Sequence, residues 1–211
     1  MKKYILLASS LFMGAFITQA QDKSCNINFI NLESGINLSQ FDFSDSEITA
    51  FKNGSFSPSQ HQALSLGFNL KGDLNLELGA AYDKYQVIGK PIDMTSSHLS
   101  YDLNYVSASA GLEYSFPVQD KISLLANGAV TYNYLLSGFQ NIGSSSYDLA
   151  DSDFEASSYS VGAGVLYKMT DATGIYLKYD WSKTMNMEDA NDSYKLTSYV
   201  YSVGVRFNLA N

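Results

Sequence analysis

Arg206 is the only arginine among 211 residues, and it stands among small polar neighbours in a segment that is otherwise apolar. A guanidinium keeps its charge, so away from water it needs a carboxylate partner and an enclosed place. Glu33, Glu77 and Glu113 are acids of the same setting, and Lys178 is a second base. Buried ion pairs are the chemistry open to this group, either fixed or exchanging partners so that ions pass. His61 and His98 lie near Ser59, Ser65 and Ser100, the ingredients of a His/Ser hydrolase acting on lipid. No oriented acid or oxyanion device accompanies them, so the expectation is no enzyme. Three polar stretches are acidic: Asp42, Asp45 and Glu47; Asp148, Asp151, Asp153 and Glu155; Glu188, Asp189 and Asp192. Their oxygens would hold calcium or magnesium weakly. Their spacing matches no defined calcium loop, and solvated negative charge accounts for them. No pattern in the chain asks for a cofactor or a structural metal.

The elements that must position these groups are strands. Tyr199, Tyr201, Val203, Val205, Phe207 and Leu209 share one face, with Ser198, Val200, Ser202, Gly204, Arg206 and Asn208 on the other. Seven more segments alternate in this way, at about 27 to 38, 62 to 71, 74 to 83, 101 to 116, 122 to 134, 159 to 168 and 175 to 182. Lys71-Gly72-Asp73 reads as a tight hairpin turn. In the fourth segment Tyr101, Leu103 and Tyr105 are out of phase with Val106 to Phe116, which predicts a bulge near Asn104-Tyr105. No stretch beyond the first 20 residues gives a helical stripe.

Residues 1–20 read as a secretory signal peptide, with Lys2 and Lys3 before an apolar run that is too short to span a bilayer as a helix. Residues 21–211 then form one domain. Cleavage removes two lysines and no acid, taking the net charge from −8 to −10. That balance argues against a nucleic-acid partner. The single cysteine, Cys25, has no partner for an internal disulfide.

Connections between the segments alternate. Three are short, at about 71 to 73, 117 to 120 and 170 to 173, and four are long and polar, at about 40 to 61, 86 to 99, 138 to 156 and 183 to 196. Loops of that length count against a soluble domain and suit an outer-membrane barrel with periplasmic turns and extracellular loops. The face opposite the apolar one is Gly, Ser, Asn, Ala and Thr with a few charges, which suits the crowded inside of a narrow barrel and not a wetted surface. Aromatics gather at two levels, Tyr82, Tyr85, Tyr132, Tyr134, Tyr159, Tyr179, Trp181 and Tyr199 at one, and Tyr114, Phe116, Tyr167 and Phe207 at the other. Such girdles mark membrane interfaces. The predicted fold is all-β, an eight-stranded antiparallel up-and-down transmembrane β-barrel in the outer membrane with both termini periplasmic. Glu33, Glu77, Glu113, Lys178 and Arg206 then point inward, about three to five residues above the periplasmic ends, as a lumen charge cluster.

On this pattern, and on one sharper motif, the chain resembles the family of small eight-stranded outer-membrane β-barrels, the porin and opacity-protein-like group. Ser202, Gly204, Phe207 and Leu209 have the spacing of the signal that barrel-assembly machinery reads at the end of such chains, although here Ala210 and Asn211 follow. The resemblance implies outer-membrane lipid, lipopolysaccharide and the assembly machinery as partners, with an unidentified extracellular ligand for the loops. It also implies a structural or surface-interaction role, with a narrow porin as the alternative and a lipid-modifying enzyme as the lesser one.

Overall fold

The computed structural model describes residues 27–43, 55–89, 99–149, 156–185, 187–188 and 193–209. The expected signal peptide, Cys25, His98 and most of the acidic loop positions lie outside them. Ten strands are present: β1 (Ile27–Phe43), β2 (Ser55–Lys71), β3 (Leu74–Gly89), β4 (Leu99–Gln119), β5 (Ile122–Ile142), β6 (Ser145–Asp148), β7 (Ala156–Lys168), β8 (Thr173–Thr184), β9 (Met187–Glu188) and β10 (Ser193–Asn208). Eight of them pair antiparallel in the order β1-β2-β3-β4-β5-β7-β8-β10, and β10 pairs back onto β1, so the sheet closes. β6 folds back on β5, and β9 lies against the start of β10. Among the described residues no helix is long and apolar enough to cross a membrane.

The register fixes the barrel's geometry. Stepping from partner to partner, Phe29, Gly67, Glu77, Gly111, Ala129, Ser160, Ser182 and Ser198 lead back to β1 at Ser39, ten positions beyond the start. Spread over eight strands, that stagger tilts each strand by about 40° from the barrel axis. Each residue then climbs roughly 2.5 Å, and about ten residues cross an apolar band 25 Å tall. β4 and β5, at 21 residues each, therefore rise well past that band.

Period-two alternation decides what faces lipid. Leu32, Ile36, Leu64, Leu112, Val130, Leu177 and Val203 stand on the outside, each 47–64% exposed. A wall of that kind would collapse in water, but in a bilayer it meets its solvent. Above it on β3 to β5 the outer face turns polar. The Tyr82 hydroxyl donates to Asn104 Oδ1, Asn104 Nδ2 donates to Ser137 Oγ, and Lys84 pairs with Asp102 at 3.1 Å. That row marks the outer edge of the apolar band. At the other end the turn at 72–73 carries Gly72 with φ 58°, a left-handed conformation that glycine adopts without strain.

Three expectations need correction here. The ladder does break opposite Asn104-Tyr105, but the additional residue is Leu136 of β5: Asn104 pairs with Ser137 and Tyr105 with Leu135. β4 itself alternates without interruption against β3. Tyr101, Leu103 and Tyr105 therefore keep the inward phase of Ser107 and Ser109, and Leu103 and Tyr105 are buried. Tyr85 also departs from the expected outer girdle, since it points inward and is buried. The strands are also longer at the outer end than alternation suggested. β2 begins at Ser55 and carries Pro58 where its ladder with β3 shifts register. Proline is tolerated at such a break because no ladder donor is lost.

Candidate functional site in the barrel lumen

The inward residues build three levels. At the turn end, Arg206 on β10 reaches Glu113 on β4, with Nη2 to Oε2 at 2.7 Å and both side chains almost fully buried. These strands are four apart on a ring of eight, so the ion pair bars the bore across its diameter. Arg206 Nε also donates to Asn31 Oδ1 at 2.9 Å. Its guanidinium lies 3.8 Å from the centre of the Phe29 ring and 5.8 Å from that of Tyr176, within reach of cation–π attraction. Glycines make room for these rings. A Cβ on Gly67 would meet Phe29 Cζ at 2.1 Å, and one on Gly204 would meet Tyr176 Cζ at 2.2 Å. A strand glycine is what lets a ring lie this close to the backbone.

Above this bar lies a charged level. Lys178 Nζ pairs with Glu33 Oε2 at 2.9 Å and with Asp180 Oδ2 at 3.4 Å. The Tyr176 hydroxyl donates to Glu33 Oε2 at 3.0 Å. His61 stands between two carboxylates, with Nδ1 2.7 Å from Asp83 Oδ1 and Nε2 3.1 Å from Glu33 Oε1. Both contacts are hydrogen bonds when both ring nitrogens carry protons. Glu77 is held differently: Asn31 Nδ2 donates to its Oε1 at 3.0 Å, and the Ser65 hydroxyl donates to the same oxygen. Asn127 Nδ2 donates to Asp180 Oδ1 at 2.7 Å. A cavity of about 140 Å³ opens among these groups, its wall completed by small residues such as Gly79, Ala81, Gly111 and Ala129.

The outer end is apolar. Tyr85 and Val87 from β3, Leu103 and Tyr105 from β4, Leu135 from β5 and Leu196 from β10 form one buried cluster, with Tyr101 and Leu149 packed against it. Tyr85 and Tyr105 meet edge to face, 5.5 Å between ring centres, a favoured aromatic geometry. Leu149 N–H donates to Gly138 O at 2.8 Å, which ties the end of the β6 segment over the cluster. Because Tyr105 directly precedes Val106, the partner of the girdle residue Tyr134, the cluster begins at the outer interface and rises from there.

All five residues of the expected lumen cluster thus point into the bore, but in two separate sets. Arg206 takes Glu113, and Lys178 takes Glu33, while Glu77 touches no base. His61, Asp83 and Asp180 belong to the same network, and Asp83 and Asp180 lie on the face that the alternation turns inward. His61, expected at the mouth of a loop, is buried inside β2. Its position two residues before Ala63, on the phase of Ala63 and Ser65, was the signal for it. The hydrolase arrangement does not form around it, since the Ser59 hydroxyl donates to Asn37 O and Ser65 to Glu77. Ser202 and Gly204 of the expected assembly motif face inward, and Phe207 and Leu209 stand outside.

The fold recurs in solved structures. Neisserial surface protein A, from Neisseria, is 15% identical with a TM-score of 0.56, and the match covers 86% of this chain and 96% of that one. OprG from Pseudomonas aeruginosa is 13% identical with a TM-score of 0.55, covering 88% and 97%. A major outer membrane protein from Thermus thermophilus gives 10% and 0.50, covering 87% and 100%. At these identities the likeness is one of fold. No curated protein matches the sequence significantly. The family model described as outer membrane protein beta-barrel domain matches residues 8–209, nearly the whole sequence, and with the closed eight-stranded barrel it places this chain in the outer membrane protein β-barrel family.

Proposed function

We propose that this outer-membrane barrel is closed to solutes and acts as a scaffold for its extracellular loops, in a structural or surface-interaction role without enzymatic chemistry. The observation that carries this reading is that the bore is filled at two levels, by the Arg206–Glu113 bar near the turns and by the apolar cluster at the outer end. Buried ions cost several kcal/mol each unless they are paired, so an ordered bar resists opening. On this reading residues 1–20 are a cleaved signal peptide, both termini are periplasmic, and Ser202, Gly204, Phe207 and Leu209 are read by the barrel-assembly machinery. The outer wall of the barrel meets outer-membrane lipid and lipopolysaccharide, and the acidic loops present solvated negative charge to an extracellular ligand. The test is the current of the refolded mature protein in a planar bilayer. A silent bilayer supports the closed scaffold. Steady, ion-selective openings make the protein a narrow porin instead.

A further inference from the structure

We infer that Lys121 and Lys168 form a phosphate site at the turn end of the barrel, which takes the headgroup of an anionic phospholipid from the inner leaflet. The inference rests on the orientation proposed above, with the short turns on the periplasmic side, and not on whether the bore is closed.

The placement of the two lysines is the first ground. Ile122 pairs with Tyr167, and the Lys168 N–H donates to Lys121 O at 2.8 Å, so Lys121 and Lys168 stand opposite each other where β5 and β7 end. Like charges directly opposed in a ladder repel. No acid relieves them. Among the described residues neither lysine has a carboxylate within ion-pair distance, although Asp120 is next to Lys121 in sequence. In bulk water two such ammonium groups would be solvated and ask for nothing more. Here Lys168 directly follows Tyr167, a residue of the inner aromatic girdle. Both lysines therefore stand one step below the apolar band, at the depth of the leaflet's phosphates, where basic side chains attract anionic lipid.

The second ground is a cavity that both lysines line. It has a volume of about 350 Å³ and opens between the β4–β5 turn and the end of β7, with Pro117, Ser123 and Leu166 in its wall. That volume equals roughly twelve waters at ~30 Å³ each, which admits a phosphate with a short polyol attached. Val118 lines it as well; the ladder skips this residue between the pairs Pro117–Ser123 and Gln119–Ile122, and it is 58% exposed. Phe116, Tyr167 and Met169 continue the exposed apolar rim beside the lysines. Acyl chains lie against that rim while the phosphate reaches the ammonium groups, which favours a lipid over a free phosphate as the source.

The experiment uses the full mature chain refolded in dodecyl maltoside, a detergent without phosphate, and measures binding by native mass spectrometry across a titration. The probes are phosphatidylglycerol, phosphatidylcholine and glycerol 1-phosphate. The expected result is that phosphatidylglycerol binds the native chain more tightly than the other two, and that Lys121→Gln with Lys168→Gln weakens it about 30-fold. Lys71→Gln, at a periplasmic turn outside the cavity, should bind as the native chain does. Equal affinity of the native and doubly substituted chains for phosphatidylglycerol overturns the inference. An equal loss in Lys71→Gln also overturns it, since diffuse charge would then be the cause. If the double variant fails to refold, equal binding of phosphatidylglycerol and phosphatidylcholine to the native chain overturns the site. Lysine-dependent binding of glycerol 1-phosphate as tight as that of phosphatidylglycerol upholds the phosphate site and overturns the lipid as its source. Detergent removes both leaflets and carries no current, so failure here leaves the closed scaffold standing, and steady bilayer current would leave this site standing.

Discussion

Arg206→Ala is the most informative single perturbation of the lumen. The substitution removes the ion pair to Glu113 at 2.7 Å, the hydrogen bond to Asn31 at 2.9 Å and the packing over Phe29 at 3.8 Å. Its main effect lies in what it leaves behind. Glu113, 2% exposed with one oxygen already unpartnered, loses its only base. Breaking a buried pair from one side costs about 3–5 kcal/mol, whereas replacing both partners by apolar residues of similar volume is often neutral or stabilising. Arg206→Ala should therefore lose about 3–5 kcal/mol in reversible urea unfolding from lipid or detergent, read by tryptophan fluorescence, while the pair Arg206→Met with Glu113→Leu stays within about 1 kcal/mol of the native protein. Equal losses in the single and the paired variant would refute the reasoning, because the stability would then come from packing and not from compensation of a buried charge.

Three further outcomes follow from other levels of the barrel. Gly204→Ala places a Cβ 2.2 Å from Tyr176 Cζ, so it should cost about 1–3 kcal/mol by overpacking, and adding Tyr176→Ala should recover part of that loss in the same unfolding assay. His61→Ala leaves Asp83 and Glu33 facing each other without the ring between them. It should cost about 3–5 kcal/mol, and less when Asp83→Asn is present in the same chain. Leu177→Arg puts a charge on the lipid side, where the residue is 64% exposed. A loss of about 2–4 kcal/mol is expected there, and no loss would mean that this face does not meet the bilayer core.

The sequence made the membrane-crossing part of the barrel legible because the bilayer imposes period two there. Every lipid-facing position must be apolar, every lumen position must be small or paired, and so Leu32 to Ile36 or Val161 to Tyr167 can be phased by eye. Above the interface that constraint is absent. β2 from Ser57 to Gln60 reads as a polar loop because both of its faces are wet or locally packed. The same cause hid the outer cluster. Leu103 and Tyr105 look like lipid-facing residues in the wrong phase, since hydrophobicity alone cannot distinguish a side chain facing lipid from one facing an apolar core inside the mouth of a barrel. Lumen partnership was legible only as far as side-chain direction. Which acid Arg206 would choose depends on stagger: the ten-residue offset brings Glu113 across the bore to Arg206 and sets Glu33 beside Lys178. No single segment encodes that offset.

The central claim, that two independent seals close this bore, is tested most directly by bilayer currents from four proteins compared side by side. These are the native chain, Arg206→Ala, a variant carrying Leu103→Ser with Tyr105→Ser, and the combination of all three substitutions. The account predicts silence from the first three, because each keeps at least one seal, and steady openings from the combined variant. Openings from the native chain, or from either seal variant alone, would contradict it.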